Sequence, residues 1–298
     1  MCDETTLPED GNTGWQLTRR QFGAGLGAGT GALALAGCTG MVSEGEDAPT
    51  ASGLVENTVV IDTPDGDADA FFVHPASGKH PAVILWPDIA GLREAKRMMA
   101  RRLAGEGYAV LVVNPYYRDV TGEQFEDFPA FRAAGGFQKV GPWRDNLSSY
   151  AVMRDATALV GWLDGQEAVD TARGIGNQGY CMGGPFTVYS AHAVPARIKA
   201  AASFHGGGLV REDDQSPHRL LADTPDTGYL FAIAKNDDEK APGDKGALRE
   251  AADAAGVAAE VEVYAGDHGW CVLDSPAYDR DAAERAWGRL LALYSANL

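Results

Sequence analysis

GIGNQGYCMGGPF, residues 174–186, decides how the rest of the chain is read. Cys181 has Gly179 two positions before it and Gly183 two positions after it. One reading is chemical. A nucleophile on a sharp strand-to-helix turn is lifted into the open, and the residues crowding such a turn must be small. The other reading is a buried cysteine behaving as a small hydrophobe in a glycine-rich loop. Pro185 falls where a helix tolerates proline, in its first turn. The stretch therefore reads as strand, turn, helix, and its surroundings must choose between the two meanings.

Outward from this point the chain alternates. NTVVID (57–62) and ADAFFVH (68–74) read as half-buried strands separated by the turn TPDGD. PAVILW (81–86) and YAVLVVN (108–114) are continuous apolar runs, the pattern of strands covered on both faces. Between them, residues 92–106 carry helical spacing. Leu92, Met98, Met99 and Leu103 share a face, and Arg93, Arg97, Arg101 and Arg102 lie off it. Residues 116–144 read as an irregular surface excursion. A helix fits 146–164, another runs from Gly184 to about Ala193, and further helices fit 244–256 and 278–295. IKAAASFH (198–205), GYLFAIA (228–234) and AEVEVY (259–264) complete the strands. Such repetition predicts an α/β fold, a mostly parallel central sheet with helices on both faces. Ligand sites in these sheets lie beyond the carboxyl ends of the strands. Asp88, Cys181, Asp237 and His268 each follow a strand.

Their order carries the chemistry. In the α/β-hydrolase arrangement a nucleophile, an acid and a histidine follow one another along the chain. Here Cys181, Asp237 and His268 do so, with Asp238 the alternative acid. His268 is expected to take and return the thiol proton, and Asp237 to hold its tautomer. The backbone N–H groups of Met182 and Ile89 are the expected oxyanion donors. His205, in SFHGGG, also follows a strand and is read as a pocket-lining or structural residue.

GYCMGG, the AKNDD turn and the GDHGW segment resemble dienelactone hydrolase and its relatives over roughly residues 57–296. That resemblance implies an α/β-hydrolase fold, a Cys181–His268–Asp237 triad, hydrolysis of lactones or small esters, and no metal or organic cofactor. It also implies a role for Asp88 in handling the thiol proton, at a position where the family carries a glutamate. The family places an arginine four residues after the histidine, to grip a substrate carboxylate. Here that position is Val272, which leaves Arg118 or Arg144 as alternative cations. Tyr180 and Trp270 are expected to make the pocket more aromatic, and Trp143 and Phe137 are read as lid or core residues. The remaining alternatives are a hydrolase of thioesters or peptides and a non-catalytic binding protein on a hydrolase scaffold.

The chain has 298 residues with 25 Lys plus Arg against 42 Asp plus Glu, a net charge of −17. Electrostatics on that scale argue against a nucleic-acid partner. Residues 1–38 read as an export segment. Arg19 and Arg20 precede a short Gly/Ala-rich apolar stretch, and LAGC (35–38) resembles a lipobox with Cys38 as the lipidated residue. Residues 39–56 read as a flexible tether and 57–298 as the hydrolase domain. The expected destination is the periplasm or a lipid anchor in a bacterial membrane. Only Cys181 and Cys271 then remain in the folded part. For Cys271 three readings stand: apolar packing, an inhibitory disulfide with Cys181, or a reactive thiol unrelated to the site.

Overall fold

A computed structural model describes residues 53–298; the expected leader, the lipidation site Cys38 and most of the tether lie outside the described residues. The chain enters through a hairpin of β1 (Leu54–Thr63) and β2 (Gly66–Pro75), paired antiparallel from Leu54↔Pro75 to Thr63↔Gly66. Leu54–Glu56, expected in the tether, are therefore strand residues, because β2 is long enough to pair with them.

The two continuous apolar runs become β3 (Ala82–Trp86) and β4 (Ala109–Val113), joined by α1 (Glu94–Gly105). Their side chains alternate between two separate cores. Ile84, Trp86, Leu111 and Val113 face one, and Val83, Leu85, Val110 and Val112 face the other. After β4 come α2 (Phe128–Ala133), α3 (Gly136–Lys139) and α4 (Gly141–Asp145). The expected surface excursion is thus three short helices, and they close over buried Phe125, Phe128 and Phe131. Sequence periodicity could not reveal helices of four to six residues.

The remaining elements run α5 (Ser149–Asp164), β5 (Ile175–Tyr180), α6 (Gly184–Ala193), β6 (Ile198–Phe204), α7 (Pro217–Leu220), β7 (Gly228–Ala234), α8 (Lys235–Lys240), α9 (Asp244–Ala255), β8 (Ala259–Tyr264) and α10 (Arg280–Asn297). Val152, Ala156, Leu159, Val160 and Leu163 line one side of α5, the spacing of a helix face. The Ser148 hydroxyl caps that helix by accepting from Ala151 N at 3.2 Å. Helices α5, α6 and α9 pack on one face of the sheet, and α1 and α10 on the other.

The eight strands are ordered β1-β2-β4-β3-β5-β6-β7-β8. Strands β1 and β2 pair antiparallel, as do β2 and β4, and every other neighbouring pair is parallel. Five consecutive parallel ends, those of β3, β5, β6, β7 and β8, open onto one edge. Asp88, Cys181, His205, Asp237 and His268 all follow these ends.

Candidate active site

Cys181 sits on a 3-10 turn of residues 181–183, between β5 and α6, with φ 52°. A non-glycine residue rarely adopts this left-handed backbone, and such strain clusters at functional sites. The flanking glycines are required by contact. A Cβ on Gly179 would lie 2.0 Å from the Gly183 carbonyl oxygen, and one on Gly183 would lie 2.6 Å from both the Trp86 and Pro87 carbonyl oxygens. Cys181 is nearly buried at 5 % exposure. It borders a cleft that it shares with Asp88, Ile89, His205, His268 and Val272.

His268 reaches the same cleft from the loop after β8. Its Nδ1 lies 2.6 Å from Asp237 Oδ2, and its backbone N–H donates to Asn236 Oδ1 at 2.8 Å. Asp238, the alternative acid, points elsewhere, and its Oδ2 pairs with Lys245 Nζ at 2.6 Å. The choice between the neighbouring aspartates follows from α8. One residue along that short helix turns the side chain by about 100°.

Ile89 lines the cleft directly after Asp88. Tyr116, just past β4, steadies this loop: its hydroxyl donates to Ile89 O at 2.8 Å and lies 3.4 Å from Met182 Sδ. Burial pushes the Tyr116 phenol far above its ordinary pKa, so it stays a proton donor. Tyr116 thereby ties the loop at Ile89 to the turn at Met182, and neither its spacing nor its residue type announced that.

Asp88 differs most from the sequence expectation in its surroundings. Arg93 Nη1 and Nη2 donate to its two oxygens at 2.8 and 3.0 Å, and Ala90 N donates to Oδ1 at 2.9 Å. Lys96 Nζ lies 2.8 Å from Oδ2, an ion pair off hydrogen-bonding alignment. Arg93 also grips Asp274 through Nε and Nη2 at 2.7 and 2.8 Å. Burial alone would raise the Asp88 pKa, but Arg93 and Lys96 override it and hold the carboxyl well below the usual range. Asp88 is thus a fixed carboxylate already engaged by two cations. Arg93, placed by spacing on the outer face of its helix, is instead fully buried, and so is Lys96. A helix-face count assigns charges to water, whereas a buried charge is tolerable when paired.

Tyr180 and Trp270, expected in the pocket, are not among the residues lining it. Tyr180 stacks on Phe204 at 5.1 Å and Trp270 on Tyr264 at 4.6 Å, both in the core beneath. His205 does line the cleft, as do Phe137 and Phe128. Trp143 packs against Tyr116 at 5.4 Å. Arg118 is committed to Asp65 and Asp155 and does not line the cleft, nor does Arg144. Val272 occupies the wall. Cys271 is a free, buried thiol among the residues of the opposite core, so it makes no bridge to Cys181. Among the described residues, no group of three or more His, Cys, Asp or Glu side chains is placed to hold a metal ion. No described helix is long and apolar enough to cross a membrane.

A mostly parallel sheet of this order, with a cysteine on a strained strand-to-helix turn, defines an α/β-hydrolase. The dienelactone hydrolase family model matches residues 68–298. The chain is 30% identical over 252 residues to a Methylorubrum extorquens protein named "Putative carboxymethylenebutenolidase", spanning 82% of this chain and 81% of that one. A Salmonella typhi protein of the same name is 28% identical over 268 residues, 83% of this chain and 94% of the other. A Klebsiella pneumoniae crystal structure described as a "Putative Dienelactone Hydrolase" superposes with a TM-score of 0.67 at 24% identity, covering 81% of this chain and 98% of that one. The chain belongs to the dienelactone hydrolase family, and it is a hydrolase of that kind.

Proposed function

We propose that the protein hydrolyses small esters or lactones through a Cys181–His268–Asp237 triad and an acyl-thioenzyme. The observation that carries this is the 2.6 Å contact between His268 Nδ1 and Asp237 Oδ2, made by a histidine that shares its cleft with the strained Cys181. With Nδ1 held by the carboxylate, Nε2 is the nitrogen to which this scheme assigns proton transfer.

In the reduced enzyme, with Cys181 present as a thiol, its Sγ attacks the carbonyl carbon and its proton passes to His268. The Met182 and Ile89 N–H groups stabilise the oxyanion, helped by the positive end of α6 behind the turn. The carbon–oxygen bond then breaks, and the leaving alkoxide takes the proton from His268. Water gives a proton to His268, attacks the thioester and releases the acid. The carbon–sulfur bond breaks, and His268 returns its proton to the departing thiolate, restoring the thiol.

Ile89, Phe128, Phe137 and Val272 make the walls apolar, which suits a small uncharged acyl group. A binding scaffold needs no carboxylate behind its histidine, so the non-catalytic alternative is disfavoured. The relatives' name is that of a lactone hydrolase, in keeping with this substrate class. Asp88 serves in this scheme as a fixed anchor of the Ile89 loop. The reading of residues 1–38 as an export segment with Cys38 lipidated, delivering the enzyme to the periplasm or to a membrane anchor, rests on Arg19–Arg20 and LAGC.

Cys181→Ala tests the mechanism. Turnover of 4-nitrophenyl acetate should fall by at least about 10³-fold, because the nucleophile acts as a unit with its base, while the circular dichroism melt stays that of the wild type. A folded variant with wild-type turnover would refute the triad.

A further inference from the structure

His205 is buried to 1 % exposure, yet among the described residues neither ring nitrogen has a hydrogen-bond partner. Buried polar atoms in native proteins are almost always satisfied, so an exception calls for a cause. Its backbone adds a second anomaly. At φ 40° it is, with Cys181, one of two non-glycine residues in the left-handed region among the described residues. The strain is held in place by its N–H, which donates to Ala232 O on the neighbouring strand β7 at 2.8 Å. Three rings surround the imidazole: His268 edge-on at 4.7 Å, Tyr180 at 6.2 Å and Trp270 at 6.3 Å. None of them satisfies either nitrogen. The residue also lines the cleft.

Burial, with His268 and Lys96 nearby, holds the imidazole well below its ordinary pKa and therefore neutral. A neutral imidazole offers one donor and one acceptor. Among the described residues, no lysine or arginine lines the cleft. Its one wall carboxylate, Asp88, belongs to a set of two carboxylates, Asp88 and Asp274, balanced by Arg93 and Lys96. Nothing there draws in a charged group. The acyl part of a substrate is the part that becomes bonded to Cys181, in the cleft that His205 also lines.

We infer that His205 is a specificity-determining residue whose ring hydrogen-bonds an uncharged hydroxyl on the acyl side of the substrate, next to the scissile carbonyl. This rests on the hydrolase reading above and names the substrate class, hydroxy-acyl esters or lactones, that it prefers.

The test compares 4-nitrophenyl hydroxyacetate with 4-nitrophenyl propanoate, acyl groups of equal size, with each kcat/KM divided by the rate of hydroxide-catalysed hydrolysis. The wild type should favour the hydroxy ester at least tenfold. His205→Phe should lower that ratio at least tenfold, mostly through KM. His205→Asn should restore part of it, since asparagine tolerates the left-handed backbone and keeps both a donor and an acceptor. If His205→Phe does not fold, His205→Ala carries the same expectation. A wild type without preference, or a folded Phe or Ala variant with an unchanged ratio, overturns the assignment of His205 alone. No Cys181-dependent turnover of either ester overturns the hydrolase reading and this inference with it.

Discussion

Replacing Arg93 by methionine tests whether the buried charges hold the cleft together. The guanidinium donates four hydrogen bonds of 2.7–3.0 Å to Asp88 and Asp274, and it is wholly buried. Methionine fills much of the space but leaves two carboxylates with Lys96 as the nearest remaining cation. Breaking a buried pair from one side costs about 3–5 kcal/mol. At roughly 2–4 °C per kcal/mol for a domain of this size, the melting temperature should fall by about 6–20 °C. The pH dependence separates this from simple loss of packing. In the wild type the folded-state pKa of Asp88 lies below its unfolded value, so its contribution is fully present above that unfolded value, about 4. It is lost as pH falls through the folded pKa. In the variant, burial raises the folded pKa of Asp88, so acid relieves the penalty by protonating it. The gap between the two proteins in urea titrations should therefore be widest near pH 7 and narrow between about pH 5 and pH 3. A fall in melting temperature of under ~2 °C, or a stability gap that acid leaves unchanged, would show that Arg93 does not anchor the two carboxylates.

Two further outcomes follow from the geometry. Asp237→Asn should lower kcat for 4-nitrophenyl acetate by about 10²–10⁴-fold, since the amide no longer fixes the imidazole tautomer, whereas Asp238→Asn, which loses only its contact with Lys245, should change it by less than about threefold; equal losses in both variants would sink the assignment of the acid. Burial pushes the Cys271 thiol far above its ordinary pKa, so iodoacetamide at pH 8 should leave it unmodified in the native protein and alkylate it in urea, as read by peptide mass spectrometry.

The parts legible in the sequence were those that follow from period and order. Continuous apolar runs marked β3 and β4, and the alternation of strands with helices placed Cys181, Asp237 and His268 at one sheet edge. The glycines at 179 and 183 marked a turn too crowded for a Cβ. What stayed hidden were relations between segments distant in the chain. Arg93 and Lys96 look like ordinary outer-face charges until Asp88 and Asp274 come to meet them, and Asp274 is 181 residues from Arg93. Tyr180 and Trp270 read as pocket residues because they adjoin functional neighbours. Successive side chains on an extended segment point to opposite sides, so the residue beside Cys181 is directed into the core. The helices over Phe128 and Phe131 were hidden because each is too short to show a period.

Asp274 does one more thing than pair with Arg93. Its Oδ2 also accepts from the backbone N–H of Phe128 at 2.9 Å, the first residue of α2, whose Asp127 caps the same helix through Ala130 N at 2.7 Å. One carboxylate thus pins the roof over the cleft to the loop that carries His268 and, through Arg93, to the loop that carries Ile89. That carboxylate therefore joins three segments around the cleft, and Phe128 and Ile89 on two of them line it. Size selection then falls to the side chains these segments present, and swapping Phe128 or Phe137 for smaller ones is the direct way to widen the cleft.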